Sequence, residues 1–185
     1  MTYGDTAADQ ANLLKLIALN EITKLNRIYA RAQDRLDPTA QRSVFWDDAW
    51  IELGSFSGDA DAFVAFAQGQ LANMAATHHL LGQVDVEFIG DEAFGEVYTI
   101  AYHRFHRGNK QEDLIIGGRY VDRYERRSNV WKIAFRSEIV DWARAGEPYE
   151  SFFEGRRPEF RSSRASIDLS CRRQVLRRPD QRQPG

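Results

Sequence analysis

Over residues 80–142 the chain reads as four long segments of alternating apolar and polar side chains, separated only by short turn-forming breaks. The segments are 80–89, 93–107, 113–126 and 129–142, and the breaks are Gly90-Asp91, Gly108-Asn109-Lys110 and Ser128-Asn129. Alternation at period two marks half-buried strands. Gly, Asn and Ser form tight turns, and connections this short join antiparallel neighbours. The second half of the chain is therefore an antiparallel meander.

The first half has a different period. Leu13, Leu14, Ile17, Ile22, Leu25, Ile28, Tyr29 and Ala32 recur at steps of three and four, which predicts an amphipathic helix over 13–32. Pro38 disfavours helix at the residue before it, so this helix ends near residues 34–37. A second short helix is expected over 38–45, a strand over 50–56, and a third helix over 62–76 with Asp59 as its N-cap. Helices followed by an antiparallel meander give an α+β domain. A curved sheet around the first helix makes a cone with one apolar pocket, and such pockets take small ligands.

Composition narrows the function classes. The chain has 185 residues, 43% hydrophobic and 28% charged, as in an ordinary globular protein. The expected division is one domain over residues 1–155 and a basic, flexible tail over 156–185. The tail holds nine Arg against three acids, net +6, and leaves the body with 16 basic and 24 acidic residues, net −8. A body of that charge is a poor partner for phosphate backbones, so no nucleic-acid partner is expected. Cys171 is the sole cysteine, so no internal disulfide forms. The N-terminus lacks the basic and apolar regions of a signal peptide, and no run reaches the ~18 apolar residues of a membrane span. The expectation is a soluble cytoplasmic protein with no membrane partner.

Three places set polar groups beside apolar stretches: Tyr29 and Asp34 at the end of the first helix, the pair His78-His79, and Arg136 inside the last strand. A carboxylate that holds one ring N–H of a histidine fixes its tautomer and frees the other nitrogen to take a proton. Tyr29 could stabilise an oxyanion, and Arg136 an anionic group. Adjacent strand residues face opposite sides, so at most one of His78 and His79 enters the cone. Alternatives stand beside these roles. Asp34 could simply end the helix, Tyr29 could be core, and Arg136 could pair with Glu138 or with an acid on the next strand. Tyr29 and Asp34 lie about 140° apart around a helix, so both reach one cavity only if the helix bends or ends between them. His103 and His106, three apart on a strand, face opposite sides and make no metal site. No metal and no cofactor is expected.

Residues 117–142, the run Phe45-Trp46-Asp47-Asp48-Ala49, and His79 nine residues before Phe88 together resemble the SnoaL-like (NTF2-like) superfamily over about residues 11–145. The resemblance implies the cone fold. Within the superfamily the pattern is similar to gamma-hexachlorocyclohexane dehydrochlorinases, scytalone dehydratases and bile-acid dehydratases. It carries an Asp–His dyad onto Asp34 and His79, favours His79 over His78, and carries the strand arginine onto Arg136. The five-residue spacing of Tyr29 and Asp34 matches the bile-acid enzymes. Where the dehydrochlorinases have a lysine on the first helix, this chain has Tyr29, so loss of water is expected rather than loss of chloride. The implied function is a cofactor-independent, dehydratase-like lyase or an isomerase acting on a hydrophobic cyclic hydroxy or keto compound. The other implied class is a non-catalytic ligand-binding or assembly domain, like the beta subunit of ring-hydroxylating dioxygenases. Related domains associate through the sheet face, so a homo-oligomer, dimer or trimer, is expected.

Overall fold

The computed structural model describes residues 6–147. The expected boundary at residue 155, the basic tail over 156–185 and Cys171 lie outside the described residues.

Helix α1 runs over Ala7–Arg35, well beyond the predicted 13–32. Its start is set by a capping box. The Asp9 N–H donates to Thr6 Oγ1 at 3.1 Å, and the Asp9 carboxylate accepts from the Thr6 backbone at 3.4 Å. Its end is set by Leu36, left-handed at φ 52°, which returns its N–H to the last turn. Only the C-terminal part of α1 is buried, through Ile22, Asn26, Tyr29, Ala30, Ala32, Gln33 and Asp34. Leu13, Leu14 and Ile17, expected on the buried stripe, are exposed in the described residues. That corrects the sequence expectation, because helical periodicity says which residues share a face but not how far along the helix the sheet extends.

Helix α2, Pro38–Ser43, starts with Asp37 capping the Ala40 N–H and proline in the first turn. It stops short of the predicted residue 45, because Phe45 already belongs to a strand. The single strand expected over 50–56 is two strands, β1 (Phe45–Leu53) and β2 (Phe56–Asp59). Asp59 caps helix α3, Ala60–Ala72, as expected. The meander follows as β3 (Ala76–Ile89), β4 (Glu92–Arg107), β5 (Lys110–Arg127) and β6 (Val130–Gly146). Gly90 and Gly108 adopt positive φ at the first two turns, and Ser128 and Asn129 do so at the third.

The six strands form one sheet in the order β2-β1-β6-β5-β4-β3. All neighbours are antiparallel except β1 and β6, which are parallel. Register shifts at Leu81/Val84, Gly117/Gly118 and Arg123/Tyr124 bend the long strands. The Gly118 bend needs glycine, since a Cβ there would sit 2.2 Å from the Ile139 carbonyl oxygen. The sheet curls far enough for α1 to meet β3, β5 and β6 at once, through Asp34–His79, Asn26–Tyr124 and Asn26–Arg136. The core fills the space between them: Tyr29 stacks on Phe63 at 6.3 Å and meets Phe45 and Tyr120 edge-on. The convex side leaves Leu80, Tyr98, Ile100 and Trp142 exposed. No helix among the described residues is long and apolar enough to cross a membrane.

Candidate active site

Among the described residues β3 is an edge strand, so one row of its N–H groups has no strand partner there. Asp34, in the last turn of α1, lies against that edge. Its Oδ2 accepts the His79 backbone N–H at 3.0 Å, and its Oδ1 lies 2.8 Å from His79 Nδ1. A carboxylate at a helix C-terminus is opposed by the helix dipole, so these two contacts are what make the position tenable. Burial pushes the Asp34 carboxyl up, but the His79 hydrogen bonds and charge outweigh it and hold the carboxyl below its ordinary value. The two side chains are 4% and 8% exposed, so water competes little for the contact.

Held in this way, the His79 Nδ1–H donates to Asp34. Nε2 keeps its lone pair and has no hydrogen-bond partner among the described residues. His79 is thus set up as a base. His78 points to the other side and is exposed. The sequence placed the histidine pair at the head of a strand. In fact β3 begins at Ala76, which puts His79 inside a ladder opposite Ala101 and fixes its direction.

Arg136 is wholly buried. Its Nε and Nη2 donate to Asp122 Oδ1 and Oδ2 at 2.8 and 2.7 Å, and Nη2 also donates to Asn26. Asn26 and Asp122 both bond the Tyr124 hydroxyl, which closes a ring of four side chains. The guanidinium lies between the faces of Tyr29 and Tyr120, 4.2 Å from each centroid. The partner is therefore an acid on the next strand, one of the alternatives above, and Glu138 is not that partner. Among the described residues, only Nη1 of this guanidinium lacks a hydrogen-bond partner. Arg136 is the floor of the site, with its charge matched by Asp122.

Tyr29 is 1% exposed, and its hydroxyl accepts from Gln33 at 3.1 Å. Burial raises its pKa far above the ordinary tyrosine value, so it stays neutral. Helix α1 is unbroken between Tyr29 and Asp34. The condition that it bend or end between them is corrected: the sheet wraps the helix, so residues about 140° apart both face it. Tyr29 meets β5 and β6 while Asp34 meets β3.

Other groups at the site come from the structure alone. His103, on β4, faces the same side as His79, with ring centroids 5.4 Å apart. Three sequence steps away, His106 is exposed, and no group of three metal-ligating side chains occurs among the described residues. Glu138 lies two residues beyond Arg136 on the same face of β6, opposite Tyr120. Asp122 sits at period two between Tyr120 and Tyr124, a pattern that marks a carboxylate on an aromatic, buried face.

Residues 15–137 match the SnoaL-like domain family. The chain belongs to the SnoaL-like family. No curated protein matches the sequence. Among solved structures, hexachlorocyclohexane dehydrochlorinase LinA-type3 from Novosphingobium barchaimii is similar at 19% identity and TM-score 0.67, covering 73% of this chain and 94% of that one. A scytalone dehydratase-like protein from Novosphingobium aromaticivorans gives 21% identity and TM-score 0.63, covering 77% and 97%. A protein from the same organism, of the kind that serves as beta subunit of aromatic-ring-hydroxylating dioxygenases, gives 22% and 0.58, covering 71% and 94%. At these identities the SnoaL-like likeness extends to the fold, an α1 helix wrapped by a curved sheet.

Proposed function

We propose that this SnoaL-like protein is a cofactor-independent, dehydratase-like lyase or isomerase acting on a hydrophobic cyclic hydroxy or keto compound. The observation that carries this reading is the Asp34–His79 contact of 2.8 Å on the concave face. His79 Nε2 removes a proton from carbon beside a carbonyl. Asp34 holds the ring and stabilises the imidazolium that forms. Arg136 and Tyr29 act from beneath, as a rigid polar floor. The fold likeness to the dehydrochlorinase and to the scytalone dehydratase-like protein supports the same class of chemistry. The test is to incubate the protein with cyclic β-hydroxy ketones and follow enone absorbance. Turnover that disappears in His79→Ala, with an unchanged circular dichroism spectrum, is expected; undiminished turnover in that variant would contradict it.

The likeness to the dioxygenase beta-subunit-like protein favours a second reading, a binding or assembly domain with no chemistry of its own. Co-purification with a larger subunit, and no turnover on any ketone, is the outcome that selects it.

A further inference from the structure

The proposed reaction leaves one proton unassigned. Hydroxide is a poor leaving group, so the departing oxygen needs a donor, and neither Asp34 nor Arg136 can serve. Asp34 is an acceptor committed to His79, and the Arg136 guanidinium is tied to Asp122 and Asn26. Glu138 answers to this need. The β5–β6 ladder is regular from Asp122↔Arg136 to Tyr120↔Glu138, so Glu138 shares the concave face with Arg136. Its carboxyl makes no hydrogen bond or ion pair with any described residue, although acids elsewhere on the sheet, such as Asp113, Asp122 and Glu125, pair with arginines. Its charge is felt by Tyr29 on α1 and Tyr120 on β5, and it in turn feels His79 on β3 and Arg136 on β6. A half-buried carboxyl, unpartnered and central to four elements, is placed to meet a ligand.

We propose that Glu138 is the general acid of this site, protonating the hydroxyl that leaves as water while His79 removes the proton from carbon. The inference rests on the reaction proposed above. One C–H and one C–O bond break, one C=C bond forms, and no electrons are exchanged with any other molecule. His79 is left protonated and Glu138 ionised. Transfer of the proton from His79 to Glu138 restores both. Burial supports the role, because it raises the Glu138 carboxyl above its ordinary value against the opposing pull of His79 and Arg136. The other ionisable groups on this face include Asp34, His103, Tyr29, Tyr120, Asp122 and Tyr124, the last two hydrogen-bonded to each other.

The test compares two probes, a β-hydroxycyclohexanone and its β-acetoxy counterpart, whose acetate leaves without a proton. In Glu138→Gln, kcat/KM for the hydroxy probe should fall about 100-fold or more, as for loss of a general acid. The acetoxy probe should fall less than about tenfold, and Glu138→Asp should recover part of the hydroxy activity. Equal losses on both probes, or no loss on the hydroxy probe, would overturn the assignment of Glu138 alone. If His79→Ala leaves both probes unaffected, the parent reaction falls and this inference with it.

Discussion

At the scale of single residues, the site separates into a group that works and a group that holds. In the proposed reaction the working pair is Asp34 and His79. Replacing Asp34 by Asn keeps the shape but offers no anion to stabilise the imidazolium, so kcat should drop about 100-fold or more. The same variant tests the energetics. Asp34 has a folded pKa below its ordinary value, so its carboxylate contributes stability above the ordinary Asp range, and that contribution is lost as pH falls through the lowered folded value. The melting-temperature gap between wild type and Asp34→Asn should therefore be widest near neutral pH and narrow in acid. A gap that does not change with pH would refute this. The holding group is the Asn26–Tyr124–Asp122–Arg136 ring. Asp122→Ala strands a wholly buried guanidinium and should cost about 3–5 kcal/mol in urea unfolding; a loss below about 1 kcal/mol would mean that water reaches Arg136. Asp34 and His79 were legible in the sequence because each borders an apolar stretch. Glu138 was not, because an acid within an alternating strand reads the same whether its face is wet or buried; Asp122 had a signal only in the tyrosines two residues to either side of it.

At the scale of elements, the meander was legible because its turns are chemical. Gly90, Gly108 and Ser128-Asn129 take the positive φ that ends each strand. The first half was read less well wherever tertiary packing set the limits. β1 is a strand from Phe45 because it pairs with β6, far along the chain. β3 starts at Ala76 because it pairs with the end of β4. The first helix starts at Ala7, ahead of the predicted residue 13, because Thr6 and Asp9 form a capping box that apolar periodicity does not register. That box caps a part of the helix whose side chains, Leu13, Leu14 and Ile17 among them, are exposed. Thr6→Ala should thus speed amide exchange in the first turn and leave global unfolding almost unchanged. A substantial global loss would show that the exposed Leu13, Leu14 and Ile17 are covered in solution. The bend at Gly118 is the opposite case. Gly118→Ala drives a Cβ into the Ile139 carbonyl, a backbone atom that cannot swing away, and should cost about 1–3 kcal/mol by denaturant unfolding.

At the scale of the whole molecule, the curved sheet gives two faces with different prospects. The concave face wraps α1 and collects His79, His103 and Glu138 over the Arg136 floor. On the convex face, Leu80, Tyr98, Ile100 and Trp142 surround a groove of about 330 Å³. Exposed apolar area of this kind suits association, and the homo-oligomer that the family resemblance implies would bury it. Light scattering should give a dimer or trimer that Trp142→Glu dissociates; a monomer at high concentration would contradict this. The central claim concerns the concave face: that His79, held by Asp34, takes protons from carbon. Lyase and isomerase share that step, so it can be measured before either substrate is known. The measurement is the exchange of α-hydrogen for deuterium in a cyclic ketone in D2O, followed by proton NMR. Exchange by the wild-type protein that falls at least about 100-fold in His79→Ala is the predicted result, and exchange at the buffer rate in both would contradict it.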